Sequence, residues 1–320
     1  MLLTLALAAC GSDSTDTTTD STDDTAAAST DDGSSEELSG SIVIDGSSTV
    51  APLSEAAAEL FMQANPGVNV TVGTSGTGGG FEKFCRGETE ISNASREIKD
   101  SEIELCAEND IAYEKVNVSN DGLAVVVNPD NDWAQCMTVE EVSAMWGPDA
   151  TATTWQDVNP EWPDVSFQLY GPGSDSGTFD YFTEAINGEE GAIRTGYSDI
   201  GEDDNAAITG VSGDQGATAF VPLSYVLEAG DLVRPVEIEN EAGECVAPSN
   251  DTVQDTSYNP LGRQLYVYPS DLALQKPEVV AFLDFYLERN EEITEAAGFI
   301  PLTDEQKDES RSLVDSLAGN

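Results

Sequence analysis

The chain contains no histidine and few basic residues: 12 lysines and arginines stand against 61 aspartates and glutamates. Without histidine, Ser-His-Asp and Cys-His catalysis and the usual zinc ligand sets are excluded. The formal net charge of −49 argues against a nucleic-acid partner, because binding to a phosphate backbone needs clustered lysine and arginine. It also argues against electrostatic attachment to an anionic membrane and indicates a solvated acidic surface.

Two nucleotide-binding signatures are absent as well. The sequence has neither a Walker loop with its lysine nor a GxGxxG fingerprint, so nothing in it indicates a nucleotide cofactor. Its 320 residues, of which 39% are hydrophobic, are enough for about two domain-sized units with real cores. We therefore expect a folded protein without a metal ion or a cofactor.

The first forty residues predict a targeting signal and a tether. Leu7-Ala8-Ala9-Cys10 fits the lipobox that bacterial lipoproteins carry before the lipidated cysteine, and residues 1–10 are too short for a membrane span. No lysine or arginine precedes this run, which departs from a secretory signal, and a buried strand is the alternative. Residues 11–40 carry nine acids and no base, which predicts a disordered tether. We expect an extracytoplasmic protein that contacts the cell membrane only through a lipid at Cys10.

The four remaining cysteines are an even number, which outside the cytoplasm predicts two disulfides. These are Cys85, Cys106, Cys136 and Cys245. Three pairings are open. Closeness in sequence favours Cys85–Cys106, which leaves Cys136–Cys245, and free buried thiols are the alternative.

From residue 41 the sequence alternates short β-rich runs with helical segments. Strands are predicted at residues 41–44, 68–72, 91–96, 123–128, 167–170, 216–221 and 265–268. Helices are predicted at residues 52–64, from 81 onward, and at 101–108, 138–146, 179–186 and 277–289. This repetition favours an α/β fold with helices on both faces of the sheets.

Three of the predicted strands end in loops of serine, threonine and glycine that open a helix. They are Asp45–Thr49, Gly73–Gly80 and Gly171–Thr178. Ligands of open α/β sheets collect at such strand ends, where helix N-termini and hydroxyl groups offer donors to an oxyanion. Each loop alone is explained better as a cap or a turn than as an anion site. Three together favour an anion site between two lobes.

With these loops the sequence resembles the phosphate-binding proteins of bacterial phosphate ABC transporters, the PstS family. The resemblance rests on Asp45–Val50, Gly73–Phe84, Gly87–Arg96, Gly171–Phe182, Gly210–Asp214 and Pro260–Arg263. It implies a type II periplasmic-binding-protein fold, in which two α/β lobes are joined by a two-strand hinge. We place the hinge near Val125–Asn128 and Gly216–Val221. Lobe 1 then takes residues 41–124, lobe 2 takes residues 125–219, and residues 220–320 return to lobe 1.

The resemblance also implies the residues that hold phosphate. They are Ser48, Thr49, the backbone N–H of Val50, Ser75, Thr77, Ser176, Gly177 and Thr178. Two positions depart from the best-known branch of the family: Arg96 stands where that branch has an aspartate, and Pro172 where it has an arginine. We expect Arg96 to be the main cationic ligand, since a guanidinium offers paired donors to phosphate oxygens. A salt bridge with an acid is the alternative for Arg96, and Arg263 is the next candidate.

The missing aspartate bears on selectivity. A carboxylate that accepts a hydrogen bond favours protonated phosphate over sulfate. Asp175 and Asp45 are the candidates for this role, and either could instead orient Arg96 or its own loop backbone.

The sequence thus predicts a monomeric receptor that binds inorganic phosphate and hands it to the subunits of an ABC permease. A receptor for another tetrahedral oxyanion, such as sulfate, arsenate or molybdate, is the alternative. A phosphoesterase with Ser176 or Thr178 as nucleophile is a weaker alternative, because histidine is absent. We do not expect an enzyme.

Overall fold

Two large hydrophobic cores organise the computed structural model, which describes residues 37–201 and 203–319. The first core is built from residues between Ile42 and Val118 and between Leu265 and Val314. The second is built from residues between Leu123 and Leu261, with Ile300. The lipobox and most of the predicted tether lie outside the described residues. The tether's last residues belong to the folded part, because Leu38 packs against the first core.

Strands and helices alternate along most of the chain. The strands are β1 Gly40–Gly46, β2 Val68–Gly73, β3 Ile91–Ala94, β4 Val116–Val127, β5 Cys136–Met137, β6 Gln168–Gly171, β7 Ser198–Asp199, β8 Ala217–Pro222, β9 Arg234–Pro235, β10 Glu237–Glu239, β11 Cys245–Val246 and β12 Gly262–Pro269. The helices are α1 Ala51–Ala64, α2 Gly76–Phe84, α3 Asp100–Glu108, α4 Val139–Trp146, α5 Trp155–Val158, α6 Gly177–Asn187, α7 Asp204–Ser212, α8 Leu223–Ala229, α9 Asn250–Gln254, α10 Pro277–Glu288, α11 Asn290–Ala297 and α12 Asp304–Ala318. None of the described helices is long and apolar enough to cross a membrane.

One sheet runs through both cores, in the order β2-β1-β3-β12-β4-β8-β6-β7, with β9 also on β4. A second, three-stranded sheet has the order β11-β10-β5. In the main sheet β4 is antiparallel to β12 from Val116 to Gly122 and antiparallel to β8 from Leu123 to Val127. Strand β4 therefore belongs to both cores, and the predicted α/β architecture is confirmed.

The chain changes core at two places. The first lies within β4, between Val118 and Leu123, and the second lies between Leu261 and Leu265, where β12 begins. In the segment Gly216–Val221, predicted as a hinge strand, residues 217–221 belong to β8, and their buried hydrophobic side chains pack in the second core. Residues 223–261 pack there too, because the strand that pairs with β4 on the first-core side is β12. The predicted lobe boundaries remain predictions, and the packing favours a return near residue 262 over one at residue 220.

The glycine-rich segment is helical where a loop was predicted. Helix α2 begins at Gly76, not at Phe81. Gly76 has a φ of +77°, which suits the entry turn. A Cβ on Gly80 would lie 2.5 Å from Cα of Gly46. The glycines therefore let α2 pack its backbone directly against the end of β1.

Both favoured disulfides are present. Cys85–Cys106 joins the end of α2 to α3, and Cys136–Cys245 joins β5 to β11 in the small sheet. The predicted pairing is confirmed.

Candidate functional site

A cavity of about 580 Å³ opens between the two cores, where the N-termini of α1, α2 and α6 meet. Six predicted residues line it: Ser48, Thr49, Ser75, Thr77, Arg96 and Gly177. A neighbouring cavity of about 370 Å³ is lined by Ser48, Thr49 and Gly177 again, together with Asp175, Ser176 and Thr178. The predicted site residues thus meet around two adjoining cavities, which we call the main and the side cavity.

Val50 is the exception among the predicted ligands. It is buried in the first core and lines neither cavity. Its N–H donates to Oγ of Ser47 over 3.4 Å, a long bond that a closer acceptor could replace. The predicted role of this N–H remains a prediction.

Asp45 holds the turn that presents Ser75. Both the N–H of Ser75, at 3.1 Å, and its hydroxyl donate to Oδ1 of Asp45, and Nζ of Lys83 donates to Oδ2 at 2.6 Å. Burial alone would raise the pKa of Asp45, but the hydrogen bonds from Lys83 and Ser75 lower it below its ordinary value. Asp45 is absent from the lining of both cavities. Its contacts orient the donor loop and do not engage Arg96.

Ser95 is a cavity residue that the sequence reasoning missed. Its N–H donates to Oγ1 of Thr77 over 3.3 Å, and the two hydroxyl oxygens lie 3.0 Å apart. The pair joins the start of α2 to the end of β3 at the cavity wall. The signal was present, because Ser95 directly precedes Arg96 in the family-like stretch.

Arg96 lies in the wall of the main cavity and is also in an ion pair. Its Nη1 and Nη2 donate to the two carboxylate oxygens of Glu102 at 2.9 and 2.8 Å. Hydrogen bonding to Glu102 raises the pKa of Arg96. The alternative interpretation, a salt bridge with an acid, is therefore present in the structure, and the role of Arg96 as the main cationic ligand remains a prediction.

A second guanidinium, that of Arg263, lies where the two cores meet. Arg263 on β12 and Asp121 on β4 are directly opposite in register. Nε and Nη2 of Arg263 donate to the same Oδ2 of Asp121 at 3.1 and 3.0 Å, and the two side chains are only 13% and 10% exposed. Nη2 also donates to Oγ1 of Thr49 over 3.4 Å. Arg263 thus contacts the predicted ligand Thr49 directly. Arg96 instead donates to Glu102 and to the carbonyl of Glu97.

Acidic side chains also line the main cavity. Asp180, Glu184, Glu189 and Glu190 belong to its lining, together with Arg96 and Lys99. Burial raises the pKa of Asp180, and Glu184 adds to this effect while Arg263 opposes it. Burial, with repulsion from Glu184 and Asp180, also raises the pKa of Glu190. The carboxyl groups of Asp180 and Glu190 therefore lose their protons less readily than an exposed acid does.

Asp180 was not predicted, whereas Asp175 was. Asp175 is exposed and lines only the side cavity. Asp180 lies three residues beyond Gly177, which also lines the main cavity, so both positions lie on the same side of α6. That spacing is the signal that sequence reasoning could have used.

One cluster in the described part of the chain has the spacing of metal ligands. Its ligand atoms, from Cys136, Glu237 and Cys245, lie within 4.8 Å of one another. The two sulfurs are bonded to each other and so cannot act as thiolate ligands.

Comparison with known sequences gives consistent matches. The model of the PBP superfamily domain matches residues 14–290. Protein SphX of Synechococcus elongatus is 42% identical over 263 residues, which cover 82% of this chain and 77% of SphX. The phosphate-binding protein PstS of Staphylococcus saprophyticus is 35% identical over 281 residues, which cover 88% of this chain and 86% of that protein.

A solved structure is also similar. The crystal structure of a possible phosphate binding protein from Planctomyces limnophilus matches with a TM-score of 0.83 and 38% identity, covering 88% of this chain and 99% of that one. The predicted periplasmic-binding-protein fold is confirmed.

Proposed function

Because the chain belongs to the PBP superfamily and, within it, to the PstS family of phosphate-binding proteins, we propose that it is an extracytoplasmic receptor for inorganic phosphate. Phosphate binds in the main cavity and is delivered to an ABC permease. The observation that carries this proposal is the convergence of Thr49, Ser75 and Gly177 on one cavity, each from the N-terminus of a different helix.

These donors bind an anion largely without formal charge. Helix N-termini present unpaired N–H groups and the positive end of the helix dipole, and hydroxyls add further donors. Each hydrogen bond to a charged group contributes about 1.5–3 kcal/mol, while micromolar affinity requires about 8 kcal/mol in total. Several neutral donors with one guanidinium therefore suffice after desolvation. At 0.1 M salt the remote acids are screened beyond roughly 10 Å.

We assign the cationic role to both Arg96 and Arg263, with Arg263 the more important. Arg96 is bound bidentately by Glu102 within its own lobe. Arg263 contacts Thr49 from the first core and the ring of Tyr181 from the second. Arg263 is therefore held by groups from both lobes, so we expect it to lie closer than Arg96 to an anion bound between them.

Asp180 is our candidate for the carboxyl group that distinguishes protonated phosphate from an anion without a proton. It lines the main cavity, and in its ionised form it can accept a hydrogen bond from a protonated phosphate oxygen. Sulfate carries no proton at neutral pH, so such a group would disfavour it.

The anchor is proposed from sequence alone. The lipobox at Cys10 and the acidic segment that follows support a receptor held to the membrane by a lipid through a flexible tether. We propose that the protein acts as a monomer and that its membrane contacts are the lipid and the permease.

A binding role is better supported than a phosphoesterase. The relatives are named as binding proteins. Ser176, the proposed nucleophile of the alternative, accepts a hydrogen bond from the N–H of Thr178 over 3.3 Å and so serves as the N-cap of α6.

Calorimetric titration of the purified protein tests the proposal, with an anion panel of phosphate, arsenate, sulfate and molybdate. We expect micromolar or tighter phosphate binding and much weaker sulfate binding. Silence at millimolar phosphate would contradict the proposal, and preference for another anion would reassign the ligand.

A further inference from the structure

Arg263 is held by groups from three parts of the fold. Asp121 binds it from the neighbouring strand, and the carbonyl of Ser95 accepts from Nη1 over 3.3 Å. On the other side Cζ of Arg263 lies 3.5 Å from the centroid of the Tyr181 ring. The guanidinium is therefore packed against an aromatic ring while its edges make hydrogen bonds. This arrangement suits a planar delocalised cation.

The hydrogen bonds of Arg263 leave little freedom. A guanidinium carries five N–H donors. Two of them are used by Asp121, one by Thr49 and one by the carbonyl of Ser95. One N–H of Nη1 has no partner among these groups, and the 3.4 Å bond to Thr49 is long. The second N–H of Nη1 and the N–H that makes the long bond to Thr49 remain for an anion. Their directions are fixed, because Asp121 and the carbonyl of Ser95 hold the other three N–H groups in place.

Tyr181 is itself fixed at both ends. It lies on α6, next to Phe179 and Phe182 of the second core, and is 7% exposed. Its hydroxyl donates to the carbonyl of Pro260 at 2.6 Å, three residues before Arg263. The ring thus connects the helix that begins at Gly177 with the strand that carries Arg263.

We infer that Tyr181 is a positioning residue of the anion site, which holds the guanidinium of Arg263 in register with the donors at the start of α6. The inference rests on the proposed function and adds a specific role to it. Tyr181 acts through Arg263: its ring face fixes the plane of the guanidinium, and its helix carries the facing N–H groups of Gly177 and Thr178. Loss of the ring would leave Arg263 charged but free to rotate away from the anion.

A double-mutant cycle with Tyr181→Leu and Arg263→Gln tests this inference by phosphate calorimetry. We expect Tyr181→Leu to raise the Kd for phosphate roughly 3- to 30-fold, the range of a partly to fully desolvated cation–π contact. Tyr181→Phe keeps the ring and should stay within about threefold of the wild type. In the Arg263→Gln background Tyr181→Leu should change the Kd by less than about twofold, because its target is gone.

Tyr113 supplies a control. Its ring packs against Phe84 and Tyr268, and it lines neither cavity. Tyr113→Leu should leave the Kd unchanged. If Tyr181→Leu does not fold, Tyr181→Met replaces it, since methionine keeps bulk but lacks the ring face.

The outcomes separate the two proposals. If the wild type binds phosphate and Tyr181→Leu keeps the same Kd, this inference alone fails. It also fails if Tyr181→Leu weakens binding equally with and without Arg263, since the residue would then act only through packing. If the wild type binds no anion of the panel, the proposed function and this inference both fall.

Discussion

Thr49 and Gly177 touch where the two cores face each other: a Cβ placed on Gly177 would lie 2.7 Å from Oγ1 of Thr49. Thr49 precedes α1 of the first core, and Gly177 is the first residue of α6 in the second. The N-termini of these two helices therefore approach as closely as a missing side chain allows. Both residues line the main cavity and the side cavity, so the place where Thr49 and Gly177 meet is also where the two cavities adjoin.

Gly177→Ala is expected to weaken phosphate binding. The added methyl group would press against Thr49 and push the two helix N-termini apart, and overpacking of this kind costs about 1–3 kcal/mol. We expect the Kd for phosphate to rise about tenfold, measured by calorimetry. Gly213→Ala, whose Cβ would meet nothing closer than 3.5 Å, is the control. An unchanged Kd in Gly177→Ala would mean that this contact opens before phosphate binds.

The two arginines of the main cavity should differ in how much they contribute to phosphate affinity. Arg263→Gln is expected to reduce phosphate affinity by about 2–4 kcal/mol, because it removes a desolvated cation and leaves Asp121 unpaired. Arg96→Gln should cost less, since Glu102 already offsets its charge. Titration of both variants measures the difference. Arg289→Gln, which breaks an ion pair with Glu292 far from the cavity residues, should leave affinity unchanged, and a reversed order would restore Arg96 as the main cationic ligand.

The Lys83–Asp45 pair should stabilise the fold in a pH-dependent way. The folded-state pKa of Asp45 lies below its ordinary value of 3.8, so its stabilisation is present above that value and is lost as the pH falls through the folded pKa. Lys83 is partly exposed, and we expect Lys83→Met to lower the free energy of unfolding by about 0.5–1 kcal/mol at pH 7. The difference should shrink as the pH falls from 7 to values below 3.8, where Asp45 takes up a proton.

Urea unfolding at both pH values measures this difference. Arg86→Met breaks a more exposed pair with Glu82 and should have a smaller effect at pH 7. An effect of Lys83→Met that is equal at both pH values would show that the lysine acts through packing and not through Asp45.

The two disulfides should contribute unequally to stability. Cys85–Cys106 closes a loop of 21 residues and Cys136–Cys245 one of 109. By loop-closure entropy these bonds are worth about 3 and about 5 kcal/mol. We expect Cys136→Ala/Cys245→Ala to lower the free energy of unfolding more than Cys85→Ala/Cys106→Ala does, as measured by denaturant unfolding. Cys85 and Cys106 are fully buried, so replacing them with alanine also leaves a cavity that lowers the free energy of unfolding. This effect reduces the difference between the two double variants, and Cys→Ser pairs therefore serve as a second comparison.

The sequence predicted local structure well where the signal lay within a few residues. The helix predicted at residues 138–146 is α4, which a capping box of Thr138 and Glu141 opens, with the N–H of Glu141 donating to Oγ1 of Thr138 at 3.1 Å. The continuous apolar run Leu123–Val127 is a buried strand. These features depend on contacts between neighbouring residues, which sequence patterns report directly.

Contacts between distant residues could not be read in the same way. Asp121 and Arg263 are 142 positions apart and meet only because β4 and β12 pair antiparallel in one register. The same pairing is why the packing favours a return of the chain near β12, although the predicted lobe boundaries remain predictions. Helix α2 began earlier than predicted because glycine's helix penalty is outweighed by the close packing of Gly80 on β1.

Strand β4 has a mechanical consequence for a protein that must admit and release phosphate. It runs unbroken through 12 residues from the first core into the second and is hydrogen-bonded to β12 and then to β8. A continuous, paired strand resists a sharp bend at one point more than a loop does, because a bend would break its hydrogen bonds to β12 and β8. The topology therefore favours a rotation of one core against the other through a gradual change of twist in β4, over a fold at a single residue.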